Sequence, residues 1–221
     1  MRAKDLISSL LMPLKPTDSA SLALNWMEDI GVIHLPVVDN GNYIGIIKNS
    51  DIYSLDNTEQ PLEKLKLPFI RPYVFNDQHF FEVLRLAATE NLTVVPVLDH
   101  HNIYKGSITQ SEIIQTMANY TSVTQPGGII VLELNSNQYS LGEIARIIEG
   151  NDAKVLSVAV TSPANSSKLE ITVKVNVMDL SSIMQTFNRY DYIVKASFAE
   201  ESRYDALLNE RYESLMKFLD T

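Results

Sequence analysis

One stretch of this chain occurs twice, and that repeat limits the architecture more than any local pattern does. Leu35 to Asp51 reads LPVVDNGNYIGIIKNSD, and Val95 to Glu112 reads VPVLDHHNIYKGSITQSE. Pro36 and Pro96 stand sixty residues apart, Asp39 matches Asp99, Gly45 matches Gly106, and Asp51 falls where Glu112 falls. The second turn carries one extra residue. Each copy is preceded by a helix-like stretch, Ala20–Glu28 and Phe80–Ala88. An internal repeat of this length fixes the supersecondary unit before any single element is assigned.

In the first copy, Thr17 and Asp18 are candidate caps for a helix with apolar Leu22, Trp26, Met27 and Ile30, stopped by Gly31. Ile33 to Val38 is a strand, Asp39-Asn40-Gly41-Asn42 a tight hairpin turn, and Tyr43 to Ile47 the return strand. Asn49 or Ser50 is expected to cap a short helix carrying Asp51, Ile52 and Leu55. In the second copy, Asn76 and Asp77 are expected to cap a helix with Phe80, Val83 and Leu84 inward. Thr93–Leu98 and Ile103–Ile108 form a second hairpin, and Gln110–Met117 a closing helix. Neither copy has enough strands to close a core alone, so the two are expected to pack as one pseudo-twofold unit.

These residues resemble a tandem cystathionine-β-synthase (CBS) domain pair over residues 1 to about 120. That family is marked by an apolar-x-Pro-Val-Val-Asp strand followed by Gly, two apolar residues and Thr/Ser-x-x-Asp. Here the counterparts are Leu35-Pro36-Val37-Val38-Asp39 with Gly45 to Asp51, and Val95-Pro96-Val97-Leu98-Asp99 with Gly106 to Glu112. The resemblance implies an adenosine cleft. It puts Leu35 and Pro36 at adenine, Asp51 on the ribose hydroxyls and Lys48 near phosphate; in copy two, Val95, Pro96, Thr109 and Glu112 take the matching places. A carboxylate suits a vicinal diol, and a cation suits phosphate. Lys48 departs from the family's Thr/Ser, and Glu112 from its Asp. The competing expectation is that these polar residues only cap helices: Asn49 and Ser50 in one copy, Thr109 and Ser111 in the other.

Beyond TSVTQPGG, Thr121 to Gly128, the pattern changes. Ile129–Leu134 is a strand, Tyr139–Glu149 an amphipathic helix, and Val155–Thr161 and Leu169–Val177 alternate as strands around a turn at Pro163 to Ser166. Met178–Arg189 is a helix and Tyr192–Phe198 a last strand. The order is βαββαβ, a ferredoxin-like arrangement. The segment resembles an ACT domain, a small regulatory fold that often senses amino acids. Tyr139 falls where that family's ligand loop has Gly, which favours dimerisation or domain coupling over amino-acid sensing. The order of domains, with wording such as SLGEIARII, is similar to acetoin-utilisation AcuB-type proteins. Ser202–Asp220 places Tyr204, Leu207, Leu208, Tyr212, Leu215 and Leu219 on one helical stripe.

The fold class expected is therefore α+β: CBS repeat 1 over residues 1–58, CBS repeat 2 over 59–120, a linker at 121–127, an ACT-like domain over 128–200 and a C-terminal amphipathic helix over 201–221.

Composition narrows the function. A net charge of -9 without a basic run argues against nucleic acid and anionic membranes as partners. The absence of Cys removes disulfides, thiolate catalysis and Cys-bound metals. No apolar run approaches the ~20 residues a bilayer span needs, and the start MRAKDLISSLLMPLKP reads as a mature, cytoplasmic one. His34, His79, His100 and His101 show no metal-ligand spacing. No nucleophile–base set can be assembled, so an enzyme is not expected. The expected function is non-catalytic regulation. The resemblance implies AMP, ADP, ATP or S-adenosylmethionine as ligand, a homodimer and a client protein. The alternatives are a ligand-free interaction module and an amino-acid sensor.

Overall fold

The computed structural model describes residues 1–65, 67–162 and 167–199. The expected turn at 163–166 and the apolar stripe of the C-terminal segment lie outside them. The chain divides into two compact units, Met1–Thr116 and Met117–Thr221.

In the first unit, α1 (Ala20–Ile30) leads to the antiparallel pair β1 (His34–Asp39) and β2 (Asn42–Lys48), followed by α2 (Asn49–Tyr53). The second copy adds β3 (Val74–Phe75), α3 (Phe80–Thr89), β4 (Val94–Leu98), β5 (Tyr104–Thr109) and α4 (Gln110–Tyr120). The repeat is visible atom by atom. Both hairpins carry a register shift at the same place, Val37/Val38 and Val97/Leu98. Both first helices end the same way. Gly31 and its counterpart Asn91 are left-handed, at φ 73° and 53°. Behind them, Val32 N–H donates to Met27 O and Leu92 N–H to Ala87 O, each at 2.9 Å. This is the helix stop that Gly, and next best Asn, allows.

Each copy's lead-in segment packs on the other copy. Ala3 and Lys4 N–H donate to Gln78 O and Asn76 O at 2.9 and 3.0 Å, while Leu62 and Glu63 N–H donate to Asp18 O and Pro16 O at 2.9 and 3.0 Å. Ser8 N–H donates to Ser107 O, and Ile46 N–H to Ile70 O, both at 2.9 Å. The crossing explains the two repeated glycines. A Cβ on Gly45 would stand 2.7 Å from Ile70 O, and one on Gly106, where φ is 144°, would overlap Ile7 Cγ2. Leu62 and Val94 are fully buried in the same cluster as Leu14, Leu35, Ile47 and Ile52. The copies are therefore interlocked, with Leu62 and Val94 of the second copy entering the core of the first.

The cap assignments made from sequence shift by one to three residues. Ser19, not Thr17 or Asp18, caps α1, its Oγ accepting Leu22 N–H at 3.2 Å; Asp18 instead accepts Lys15 N–H at 2.7 Å. His79, not Asn76 or Asp77, caps α3 through Nδ1, which accepts Phe81 N–H at 3.2 Å. Asn49 and Ser50 lie inside α2, whose N-cap is Lys48.

In the second unit, β6 (Ile129–Asn135), α5 (Leu141–Glu149), β7 (Val155–Thr161), β8 (Lys168–Val175), α6 (Ser181–Arg189) and β9 (Ile193–Phe198) follow in order. The sheet order is β7-β8-β6-β9 with every neighbour antiparallel. This is the split βαββαβ arrangement. Ile144, Ile147 and Ile148 of α5 and Ile183 and Phe187 of α6 bury against Ile130, Leu132, Ile171 and Val173. The helix begins at Leu141, later than the expected Tyr139, after the Ser140 cap, and Leu141 is exposed. The 121–127 segment is tied to the sheet: Ser157 Oγ donates to Thr121 O, and the buried Lys174 Nζ to Gly127 O, both at 2.8 Å.

Candidate functional site

Strand register brings the predicted residues of each copy together. Leu35 and Pro36 are buried in β1, with Leu35 opposite Ile47 and His34 opposite Lys48. Val95 and Pro96 are buried in β4, with Val95 opposite Ile108 and Val94 opposite Thr109. Lys48 and Thr109 thus close the second strand of each hairpin, and Asp51 and Glu112 stand in the first turn of the helix that follows.

The two carboxylates turn back onto their own helix starts. Asp51 Oδ2 accepts Lys48 N–H at 3.4 Å. Glu112 Oε2 accepts Thr109 N–H at 2.9 Å and also the Thr109 hydroxyl, and Thr109 Oγ1 accepts Glu112 N–H at 3.5 Å. The second arrangement is a reciprocal capping box. The longer Glu side chain does not overshoot; it folds back and uses its extra methylene to reach both Thr109 donors. Capping is therefore done by Lys48/Asp51 and Thr109/Glu112, and among the described residues Asn49, Ser50 and Ser111 take no part in it. Glu112 is held by two donors and Asp51 by one long contact, so the copy-one carboxylate keeps more acceptor capacity.

The copies meet beside these helix starts. His34 is 2 % exposed. Its Nδ1 accepts Thr93 N–H at 3.2 Å and stands 3.0 Å from Thr93 Oγ1, which itself accepts Ile33 N–H at 3.1 Å. An Nδ1 that accepts a backbone N–H carries no proton, which leaves the ring proton on Nε2. Burial first, and then the Lys48 ammonium, pull the imidazole down to about 4, against the opposing pull of Asp51. His34, Lys48 and Asp51 thus form one electrostatic group at the contact between copies. The four histidines show no metal-ligand spacing, and the role of His34 does not rest on one. The signal was in the repeat itself: Ile33 aligns with Thr93 and His34 with Val94, so each copy has a polar residue where the other has an apolar one.

Cavities open elsewhere. One of about 480 Å³ lies at the tip of the first hairpin, lined by Lys15, Thr17, Asp39, Asn40 and Glu63 among others, and none of the eight predicted residues lines it. In the second unit, about 310 Å³ is lined by Leu134, Gln138, Glu143, Tyr190, Asp191 and Tyr192. Its charged lining residues, Glu143 and Asp191, are both acidic. Burial first, and then the nearby Glu143 carboxylate, raise Tyr192 to about 12. Tyr139 packs against the core instead. Among the described residues no group of three or more His, Cys, Asp or Glu could hold a metal ion, and no helix is long and apolar enough to cross a membrane.

Residues 3–56 match the family model described as CBS domain. That match covers the first copy. Among solved structures, the chain is similar to a CBS domain pair/ACT domain protein from Thermotoga maritima, at 16% identity over 53% of this chain and 96% of that one, with a TM-score of 0.48. It is similar to CBSX2 in complex with AMP, at 18% identity over 56% and 98%, with a TM-score of 0.47. It is similar to an acetoin utilization protein (AcuB) from Vibrio cholerae, at 20% identity over 56% and 95%, with a TM-score of 0.49.

Proposed function

We propose that this is a non-catalytic regulatory protein whose first unit binds an adenine nucleotide or adenosyl ligand: AMP, ADP, ATP or S-adenosylmethionine. The observation that carries the reading is the pair Lys48 and Asp51, a cation and a loosely held carboxylate at one strand–helix junction beside a buried Leu35-Pro36 strand. Asp51 receives the ribose hydroxyls, Lys48 the phosphate, and the backbone by Leu35 and Pro36 reads the adenine edge. In copy two, Val95, Pro96, Thr109 and Glu112 hold the equivalent places, but a ligand there must first open the Glu112–Thr109 box. Occupancy is therefore expected first in copy one. Ligand seated where the copies meet changes their relative angle, a two-state element of the kind regulation requires. A homodimer is the simplest closed assembly through which the change reaches a client protein, and the βαββαβ unit serves as the ACT-like coupling or dimerisation part. Calorimetric titration of the four ligands into the wild type and Asp51→Ala tests the site; equal affinity in both sinks it.

A second reading, an interaction module without ligand, rests on the closed Glu112–Thr109 box. It predicts that no adenine compound raises the melting temperature.

A further inference from the structure

The second unit holds a basic cleft that the nucleotide reading leaves unused. A pocket of about 300 Å³ opens where α5 and α6 end, lined by Arg146, Gly150, Asn151, Thr186, Arg189 and Tyr190. We propose that this cleft binds a phosphate group, free or carried by a small molecule.

A cation in the last turn of a helix has an ordinary explanation, since it offsets the partial negative charge of the terminal carbonyls. Here those carbonyls already have donors. At the end of α5, Gly150 N–H donates to Arg146 O at 2.9 Å, and Asn151 Nδ2 to Ile147 O at 2.8 Å. Asn151 N–H donates to Ile148 O at 3.1 Å. At the end of α6, Tyr190 N–H is shared between Thr186 O and Phe187 O at 3.2 and 3.1 Å, and Asp191 N–H donates to Asn188 O at 3.1 Å. The guanidiniums have little to bind among the described residues. Among the described residues Arg189 makes one side-chain hydrogen bond, from NH2 to Thr186 Oγ1 at 3.2 Å, and no carboxylate lies within ion-pair distance of it. Arg146 reaches Glu143 only at 4.0 Å. The nearby Glu149 is taken by Lys154 at 3.6 Å.

Two guanidiniums on one cleft offer planar forks that match phosphate oxygens. Asn151 ties the two helix ends together, donating to Thr186 Oγ1 at 3.2 Å, so the cleft is braced across both helices. The volume sits at the small end of ligand pockets, which fits a phosphate with little body attached. The setting sharpens the contrast, because the chain as a whole carries a net charge of -9.

The test is calorimetric titration of the full chain in phosphate-free buffer with inorganic phosphate, pyrophosphate and glycerol 3-phosphate. Saturable binding with a Kd of about 1 mM or tighter is expected, weakened about tenfold or more by R146Q or R189Q and less by R189K. Both arginines are exposed, so melting temperatures should not change. R85Q, a charge control on α3, should bind as the wild type does. Tighter binding of glycerol 3-phosphate supports the site with an ester as its ligand; tighter binding of inorganic phosphate supports it with the free anion. Asp51→Ala must leave the titration intact, which separates this cleft from the nucleotide site. The proposal is overturned by an absence of saturable binding, by equal weakening in R85Q, or by loss in Asp51→Ala.

Discussion

His34 Nδ1 lies 3.0 Å from Thr93 Oγ1, joining the residue before one Leu-Pro strand to the residue two before the other Val-Pro strand. The contact spans 59 positions of sequence and fastens the two copies at the place where their helix starts converge.

Removing either partner strands buried donors. His34→Ala leaves Thr93 N–H without its acceptor and opens space in the interface, and should cost about 1–3 kcal/mol. Thr93→Val, which keeps shape and removes the hydroxyl that accepts Ile33 N–H, should cost about 1–2 kcal/mol. Urea midpoints of the two variants check this; midpoints unchanged from the wild type would show that the contact does not fasten the copies.

The same histidine predicts an acid response. Its pKa is about 4 when folded against an ordinary 6.5 when unfolded. Between those values the unfolded chain binds a proton that the folded chain does not, so stability falls as pH drops from 6.5 towards 4 and this contribution levels off below. The full loss is up to about 3 kcal/mol. His34→Gln should flatten that part of the profile in urea titrations, and a slope that survives the substitution would assign it to other groups. Asp99, held down to about 2 by Lys105 and by backbone N–H groups, releases its own contribution only at lower pH.

Gly45→Ala should destabilise by about 1–3 kcal/mol, because the new methyl meets the backbone oxygen of Ile70, which cannot rotate away. Gly106→Ala meets a side chain, Ile7, in addition to its positive φ. Adding Ile7→Ala should therefore recover part of the loss at Gly106 and none at Gly45. Midpoints of the single and double variants decide; recovery at both positions would contradict the crossed packing.

Glu112→Ala should lower stability by about 1 kcal/mol through loss of the capping box, and Asp51→Ala by less, since its cap contact is long. Thermal unfolding of the two variants measures the difference, and the reverse order would contradict the assignment of Asp51 as the freer carboxylate.

The repeat made most of the fold legible. Pro36 and Pro96, Asp39 and Asp99, and Gly45 and Gly106 placed both hairpins, and period-2 alternation from Leu169 to Val177 placed β8 and, with it, the βαββαβ order. Caps were harder. Several Thr, Asp, Asn and Ser residues near a helix start can each accept an N–H, and only the backbone path decides that Ser19 caps α1 while Asp18 serves the preceding turn. The exchange of lead-in segments and the His34–Thr93 contact were not legible in local patterns, because they depend on which copy a segment crosses to. The repeat singles out both carboxylates, but the difference in how tightly they are held emerges only from the hydrogen bonds at 3.4 and 2.9 Å.

The measurement that tests the central claim most directly is thermal unfolding of the wild type and Asp51→Ala with AMP, ADP, ATP and S-adenosylmethionine. A ligand at about 100 times its Kd adds about 2.7 kcal/mol. At least one of the four should raise the wild-type melting temperature by several degrees and leave Asp51→Ala unmoved. An equal rise in both proteins, or no rise with any ligand, would contradict it.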